Sequence, residues 1–267
     1  MKTRREILKG SLGLAGIIAA GKAPAAVVKS LVGAQLTGNT EEAGGWKNPY
    51  VTDGLVAMWD GIWNVGFGVH DPTTDYWKDL IGDHNLTITS RGSIVDDALV
   101  TSGAGPAAIY NGFIGDVKTV EISLEHTGGN CVMWNGVGCH LMYWTSAVSG
   151  SYGYEMCSMS QGNLVGFISS RETKGSTISF NLYKRTVGAN NYLDSAYVNS
   201  SSKALAIFNN QWTQGGEYDS FKLGAIRNDN WLASKCRFHC VRFYSRSLSA
   251  DEIAANYAID KERFGLI

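Results

Sequence analysis

The sequence predicts an all-β fold: two antiparallel sheets packed as a β-sandwich, with one short C-terminal helix. Three observations lead there. Short apolar runs recur at roughly 8–15-residue spacing, the rhythm of strands joined by turns. Helical periodicity is nearly absent until residue 249. Turn-forming Gly, Ser, Thr and Asn fill the intervals, with 32 Gly against 4 Pro.

The elements follow in order. Gly54-Leu55-Val56-Ala57-Met58-Trp59 is a first strand after Asp53. Residues 60–84 form a long polar and aromatic connection, and Asn85 to Thr89 alternates as a half-buried strand. Further strands are expected at Val117–Leu124, Cys131–Trp134, Val137–Trp144, Gly153–Met159, Asn163–Ser170, Thr177–Lys184, Asn191–Val198, Lys203–Phe208, Ser220–Ile226 and Cys236–Tyr244. Asn135-Gly136 reads as a two-residue hairpin turn, setting Trp134 opposite Val137 and Cys131 opposite His140. Ser249-Ala250-Asp251-Glu252 is a capping box that starts the helix. Its expected apolar stripe runs through Ile253 and Tyr257 and through Ala250, Ala254 and Ala258.

The chain divides into three parts. Thr3-Arg4-Arg5-Glu6-Ile7-Leu8-Lys9 resembles the twin-arginine export motif. The apolar stretch from Ser11 to Ala20 is too short and Gly-rich to span a membrane, and Ala23-Pro24-Ala25 supplies the small residues that signal peptidase reads. Residues 1–25 are therefore expected to be a signal peptide handled by the twin-arginine machinery, with Ala26 or Ala34 as later cleavage points. Residues 26–48 read as a flexible leader, and 49–267 as one domain. The expected location is periplasmic, cell-surface or extracellular, with no membrane span in the mature protein. The net charge is −1, yet the first 25 residues hold five basic side chains and one acidic. The remainder is acidic, which argues against nucleic-acid binding.

Five cysteines follow the signal: Cys131, Cys139, Cys157, Cys236 and Cys240. An odd number leaves at least one thiol free or bonded to another chain. Cys131 and Cys139 are expected on opposite faces of their hairpin. Cys236 and Cys240 are expected on one face but about 13 Å apart, too far to bond.

Two segments resemble a known family. Gly54-Leu55-Val56-Ala57-Met58-Trp59-Asp60-Gly61 with Trp77-Lys78-Asp79-Leu80-Ile81-Gly82-Asp83-His84-Asn85-Leu86-Thr87 is similar to the opening of laminin-G-like jelly rolls. Val241-Arg242-Phe243-Tyr244-Ser245-Arg246-Ser247-Leu248-Ser249-Ala250-Asp251-Glu252-Ile253 resembles their closing strand and helix. This is the laminin-G-like and pentraxin-type branch of the concanavalin A-like lectin/glucanase superfamily. The resemblance implies a jelly roll with a concave face, and often a structural Ca²⁺. It implies little about activity, because the fold carries both lectins and glycosidases.

Related glucanases use a Glu-x-Asp-x-x-Glu-type strand. The nearest string is Glu121-Ile122-Ser123-Leu124-Glu125, with Ser123 in place of the middle acid. Glu121 and Glu125 would share a face about 13 Å apart along the strand, wider than the roughly 5–9.5 Å that glycoside hydrolysis uses. No nucleophile elbow, phosphate loop or dinucleotide fingerprint is present. His239 is expected to face away from Cys236 and Cys240, which argues against structural zinc.

The 60–83 connection is the most suggestive region. Asp60, Asp71, Asp75 and Asp79 are candidate Ca²⁺ ligands through hard carboxylate oxygens. Trp63, His70 and Tyr76 in the same connection, and Trp134, Trp144 and Trp231 elsewhere, are candidates for stacking on sugar rings. The expected function is a non-catalytic binding module with a glycan ligand. The alternatives are a glucanase-type glycoside hydrolase and an adhesive surface protein.

Overall fold

The computed structural model describes residues 47–267 except 113, 115–116, 136–138, 146–150, 158–163, 185–190, 209–219 and 226–232. The expected signal peptide and all but the last two residues of the expected leader lie outside the described residues. The strands are β1 (Leu55–Asp60), β2 (Tyr76–Trp77), β3 (Leu86–Ile88), β4 (Gly92–Val95), β5 (Ala98–Thr101), β6 (Ala108–Tyr110), β7 (Thr119–Gly129), β8 (Cys131–Asn135) and β9 (Cys139–Thr145). They continue as β10 (Tyr152–Cys157), β11 (Leu164–Ile168), β12 (Ser176–Lys184), β13 (Asn191–Val198), β14 (Ser201–Lys203), β15 (Ala206–Phe208), β16 (Phe221–Leu223) and β17 (Ser234–Tyr244), and helix α1 (Ala250–Phe264) closes the chain.

The strands form two antiparallel sheets, as the sequence predicts. One runs β14-β13-β12-β7-β17-β5-β4, with β1 also paired to β17. The other runs β15-β11-β10-β9-β8-β16-β6-β3-β2. Strand β17 is central to the first sheet. One edge pairs with β7 along its length, and the other is shared by β5 at Arg237–Phe238 and β1 from Cys240 to Tyr244.

Alternation along the strands buries a large apolar cluster between the sheets. Ile122 and Leu124 of β7, Phe238, Val241 and Phe243 of β17, and Tyr154 and Phe167 of the facing sheet all belong to it. Trp59, Phe221 and Phe243 form an aromatic knot, with ring centroids 5.2–5.8 Å apart. A second cluster lies between the outer face of the first sheet and α1, and includes Tyr50, Met58, Trp63, Tyr244, Ile253 and Phe264.

Four expectations are corrected. First, Asn135 pairs with Cys139 and Trp134 with His140. The connection is therefore three residues long, not two, and a register shift between Cys131 and Met133 sets Cys131 opposite Met142. Second, the expected strand Lys203–Phe208 is two strands, β14 and β15, in different sheets. Third, a bulge between Phe238 and Cys240 inserts His239. The extra residue reverses the alternation, so Cys236 joins the inter-sheet core while Cys240 joins the helix side. Fourth, α1 buries Asn256, Asp260 and Arg263 with Ile253, while Ala250 and Ala258 are exposed. The sheet face beneath it carries Glu121, Ser123 and Arg242 beside the apolar cluster, so the helix turns polar side chains inward together with Ile253.

The capping box at Ser249 and Glu252 is present, and Gly265 ends the helix at φ 67°. Cys131, Cys236 and Cys240 are free and buried. Burial pushes the Cys236 thiol up to about 12, so it behaves as a small apolar group.

The chain crosses from one sheet to the other between β7 and β8, at Gly128-Gly129-Asn130. Gly129 has φ 76°, and a Cβ there would overlap the Ala233 carbonyl. Gly128 has only the Lys235 side chain nearby, no closer than 3.7 Å. Gly129→Ala is expected to cost about 1–3 kcal/mol or more in urea unfolding. Gly128→Ala is expected to leave the midpoint nearly unchanged.

Candidate functional site

The outward residues of β7 and β17 do not form an open groove. Glu121, Ser123 and Arg242 project from the sheet and are roofed by α1, with Glu121 and Arg242 fully buried. Arg242 donates from Nη1 and Nη2 to the two oxygens of Asp260 at 2.7 and 2.6 Å, and from Nε to Glu121 Oε2 at 3.0 Å. Glu121 also accepts from Asn256 Nδ2 (2.7 Å) and from the Ser179 hydroxyl (3.0 Å). Asp260 accepts from the hydroxyls of Ser123 and Thr177 at 2.5 and 2.8 Å. The Arg242 guanidinium lies 4.1 Å over the Tyr50 ring.

Burial raises the Glu121 carboxyl above its ordinary range, against the pull of Arg242. Burial would raise Asp260 too, but Arg242 and the surrounding donors outweigh it and hold that carboxyl low. Glu121 and Glu125 do share a face. Glu121, however, has no access to a substrate, and both of its oxygens are occupied. Glu125 sits at the margin, 3.2 Å from His239 Nε2 and 3.6 Å from Arg237 Nε. The strand that most resembles a glucanase motif is thus the floor of the helix-binding layer.

The carboxylates of the 60–83 connection do not converge either. Asp60 is fully buried, accepts the Ile62 and Trp63 amides and pairs with Arg263 Nη1 at 2.7 Å. Asp71 caps a turn through the Thr73 hydroxyl and amide, which hold its carboxyl below the usual range. Asp75 is exposed. Asp79 is buried and accepts the Met58, Ile81 and His84 amides and the His84 ring. Among the described residues no group of three or more His, Cys, Asp or Glu side chains is placed to hold a metal ion. The Ca²⁺ expectation therefore finds no donor set here.

The aromatic candidates also divide. Trp63 is 1% exposed beneath the Arg263 guanidinium (4.0 Å), so its ring cannot meet a sugar. His70 is exposed, with Nδ1 3.0 Å from the Gly61 carbonyl. Tyr76 is exposed on β2, the edge strand of its sheet. Trp134 and Trp144 lie on β8 and β9, opposite His140 and Gly153, and their side chains lie outside what the structure describes. Trp231 lies outside the described residues.

A third cluster escaped the sequence reading. It surrounds the β7–β8 crossing and draws on β9, β10 and residues 169–176. Tyr152 is 53% exposed, yet its ring stacks on buried Tyr143 at 5.7 Å and 11°. Tyr143 is fixed by its hydroxyl, which donates to the Ser169 carbonyl at 3.1 Å, and by backbone bonding to Asn130. The Arg171 guanidinium lies 4.5 Å over the Tyr143 ring and donates from Nη2 to the Gly129 carbonyl at 3.1 Å. Behind them, His126 Nε2 lies 3.0 Å from the Gly128 carbonyl and Nδ1 lies 3.0 Å from the Tyr154 hydroxyl. Because a carbonyl only accepts, Nε2 carries the proton and the Tyr154 hydroxyl donates to Nδ1. Burial, then Arg171, pushes His126 down to about 4, so it is neutral at physiological pH. The legible signal was Tyr152-Gly153-Tyr154, where two rings two residues apart share one face.

No family model and no curated protein matches this sequence. Among solved structures the chain is similar to Trypanosoma rangeli sialidase. With the 2,3-difluorosialic acid covalent intermediate the TM-score is 0.53 at 14% identity, covering 89% of this chain and 38% of that one. With sialic acid bound the values are 0.52, 15%, 88% and 37%. Domain 4 of AbnA, a GH43 extracellular arabinanase from Geobacillus stearothermophilus solved with arabinotriose, gives a TM-score of 0.43 at 13% identity, over 76% of this chain and 98% of that one. The chain thus spans just over a third of the sialidase's length. At such identities the likeness to the sialidase shows the fold alone, an antiparallel β-sandwich.

Two outcomes follow from the buried charges. Arg242→Met strands Glu121 and Asp260 without their cation and is expected to cost about 3–5 kcal/mol in urea unfolding. Glu155, on β10, is 1% exposed, and burial pushes its carboxyl from the usual 4.5 up to about 8. Folding therefore favours its protonated form. That contribution is complete below about pH 4.5 and lost as pH rises through about 8. Stability is expected to fall by a few kcal/mol between pH 5 and pH 9, and Glu155→Gln is expected to flatten that part of the profile.

Proposed function

We propose that this chain is an exported, non-hydrolytic glycan-binding module. The observation that carries the reading is Tyr152: a half-exposed ring held flat against Tyr143, at the rim of the sandwich. An aromatic face of this kind suits the C–H face of a sugar ring, and its prior ordering lowers the entropy cost of binding. The absence of hydrolysis is supported by Glu121, whose carboxylate is consumed beneath α1. The shared fold with part of a sialidase solved with sialic acid is in keeping with a carbohydrate ligand. Export is supported by the Arg4-Arg5 motif and the small residues Ala23 and Ala25. Among the described residues no helix is long and apolar enough to cross a membrane.

A panel of insoluble polysaccharides tests the reading. The purified chain is expected to be retained on at least one without releasing reducing sugar. Tyr152→Ala is expected to weaken that retention about five- to tenfold. Unchanged retention in this variant would remove the rim from consideration, and sugar release would overturn the non-hydrolytic assignment.

A further inference from the structure

The rim that presents Tyr152 also gathers positive charge. Arg171 stands beside the stacked tyrosines, Lys174 is exposed on the same connection, and the Lys235 stem lies alongside Gly128. Among the described residues none of these three cations has a carboxylate in ion-pair range. The acids close by are committed elsewhere. Glu172 accepts the hydroxyls of Ser169 and Ser176, both at 2.9 Å, and Glu125 is engaged by His239 and Arg237. Among the described residues Arg171 donates only from Nη2, to the Gly129 carbonyl, and its buried Nε–H meets no acceptor.

A buried guanidinium donor without an acceptor is costly. A planar carboxylate meets a guanidinium fork with two parallel hydrogen bonds. We propose that the rim selects an acidic sugar residue, with the ring on Tyr152 and its carboxylate on Arg171. This rests on the glycan-binding reading and narrows it to carboxylated glycans. Lys174 and Lys235 add a screened, long-range attraction to the same polymers.

The test uses the full chain and matched polymers: polygalacturonate, alginate, hyaluronan and polysialic acid, each beside its carboxyl-reduced, neutral counterpart, with dextran sulfate as a sulfated polyanion. Binding to at least one carboxylated polymer is expected, at least tenfold stronger than to its reduced form. Arg171→Gln is expected to weaken it roughly ten- to a hundredfold, the scale of a charge-assisted pair. Arg171→Lys, which keeps the charge and loses the fork, is expected to recover only part of the affinity. It also serves as the reporter if the Gln variant fails to fold. Equal binding of a polymer and its reduced form would overturn the proposal and leave the glycan reading intact. So would dextran sulfate binding as tightly as any carboxylated polymer, or full affinity in Arg171→Lys. Retention on no polysaccharide, acidic or neutral, would overturn both.

Discussion

Arg242 carries its charge in a place water does not reach, and the helix side of the molecule is arranged around neutralising it. Asp260 comes from α1 and Glu121 from β7, so the guanidinium ties the C-terminal helix to the central strands of the sheet. Arg263 and Asp60 repeat the device one turn further along, joining the helix to the end of β1. Three buried carboxylates face two guanidiniums here. Burial raises Asp60 and Glu121 against the pull of their arginines, while Asp260, gripped by both arms of Arg242, is lowered. Apolar packing could hold a helix in this place at less desolvation cost. A set of directed pairs admits only one rotation and one axial position, so the polar layer gives the joint a single register.

Much of the fold could be read from the chain because its signals are local. The capping box at Ser249 needs four consecutive residues, and the alternation of Val120, Ile122 and Leu124 needs only one strand. What could not be read depends on partners distant in sequence. Strands β2 and β4–β6 are two to four residues long, too short for a period to register. The His239 bulge leaves no mark in composition, yet it reverses the facing of every later residue in β17. The buried face of α1 was misjudged for a similar reason. Apolar periodicity finds a helix that packs on an apolar surface, and this one packs on Glu121, Ser123 and Arg242.

The candidate site shows the same division. Residues that advertise chemistry in the sequence, such as Glu121, Asp60, Asp79 and Trp63, have been drawn into the structural interior. The rim assembles from His126, Tyr143, Tyr152 and Arg171, four residues with no shared motif, which meet only because β7 hands the chain across to β8 at Gly129. A jelly roll places loops from separated hairpins side by side at its ends, so a candidate site there is written in topology.

The shared edge of β17 has a consequence for how the molecule comes into being. Asp60 is paired with Cys240, and Val51 donates to Asn256, so the early strand acquires its hydrogen-bonded neighbour only after about 180 further residues have been made. Ribosomal synthesis cannot complete the sandwich in stages from the N-terminal side, and the dominance of long-range pairing makes closure slow. Such a chain emerges incomplete and locks late, when its final strand and helix arrive.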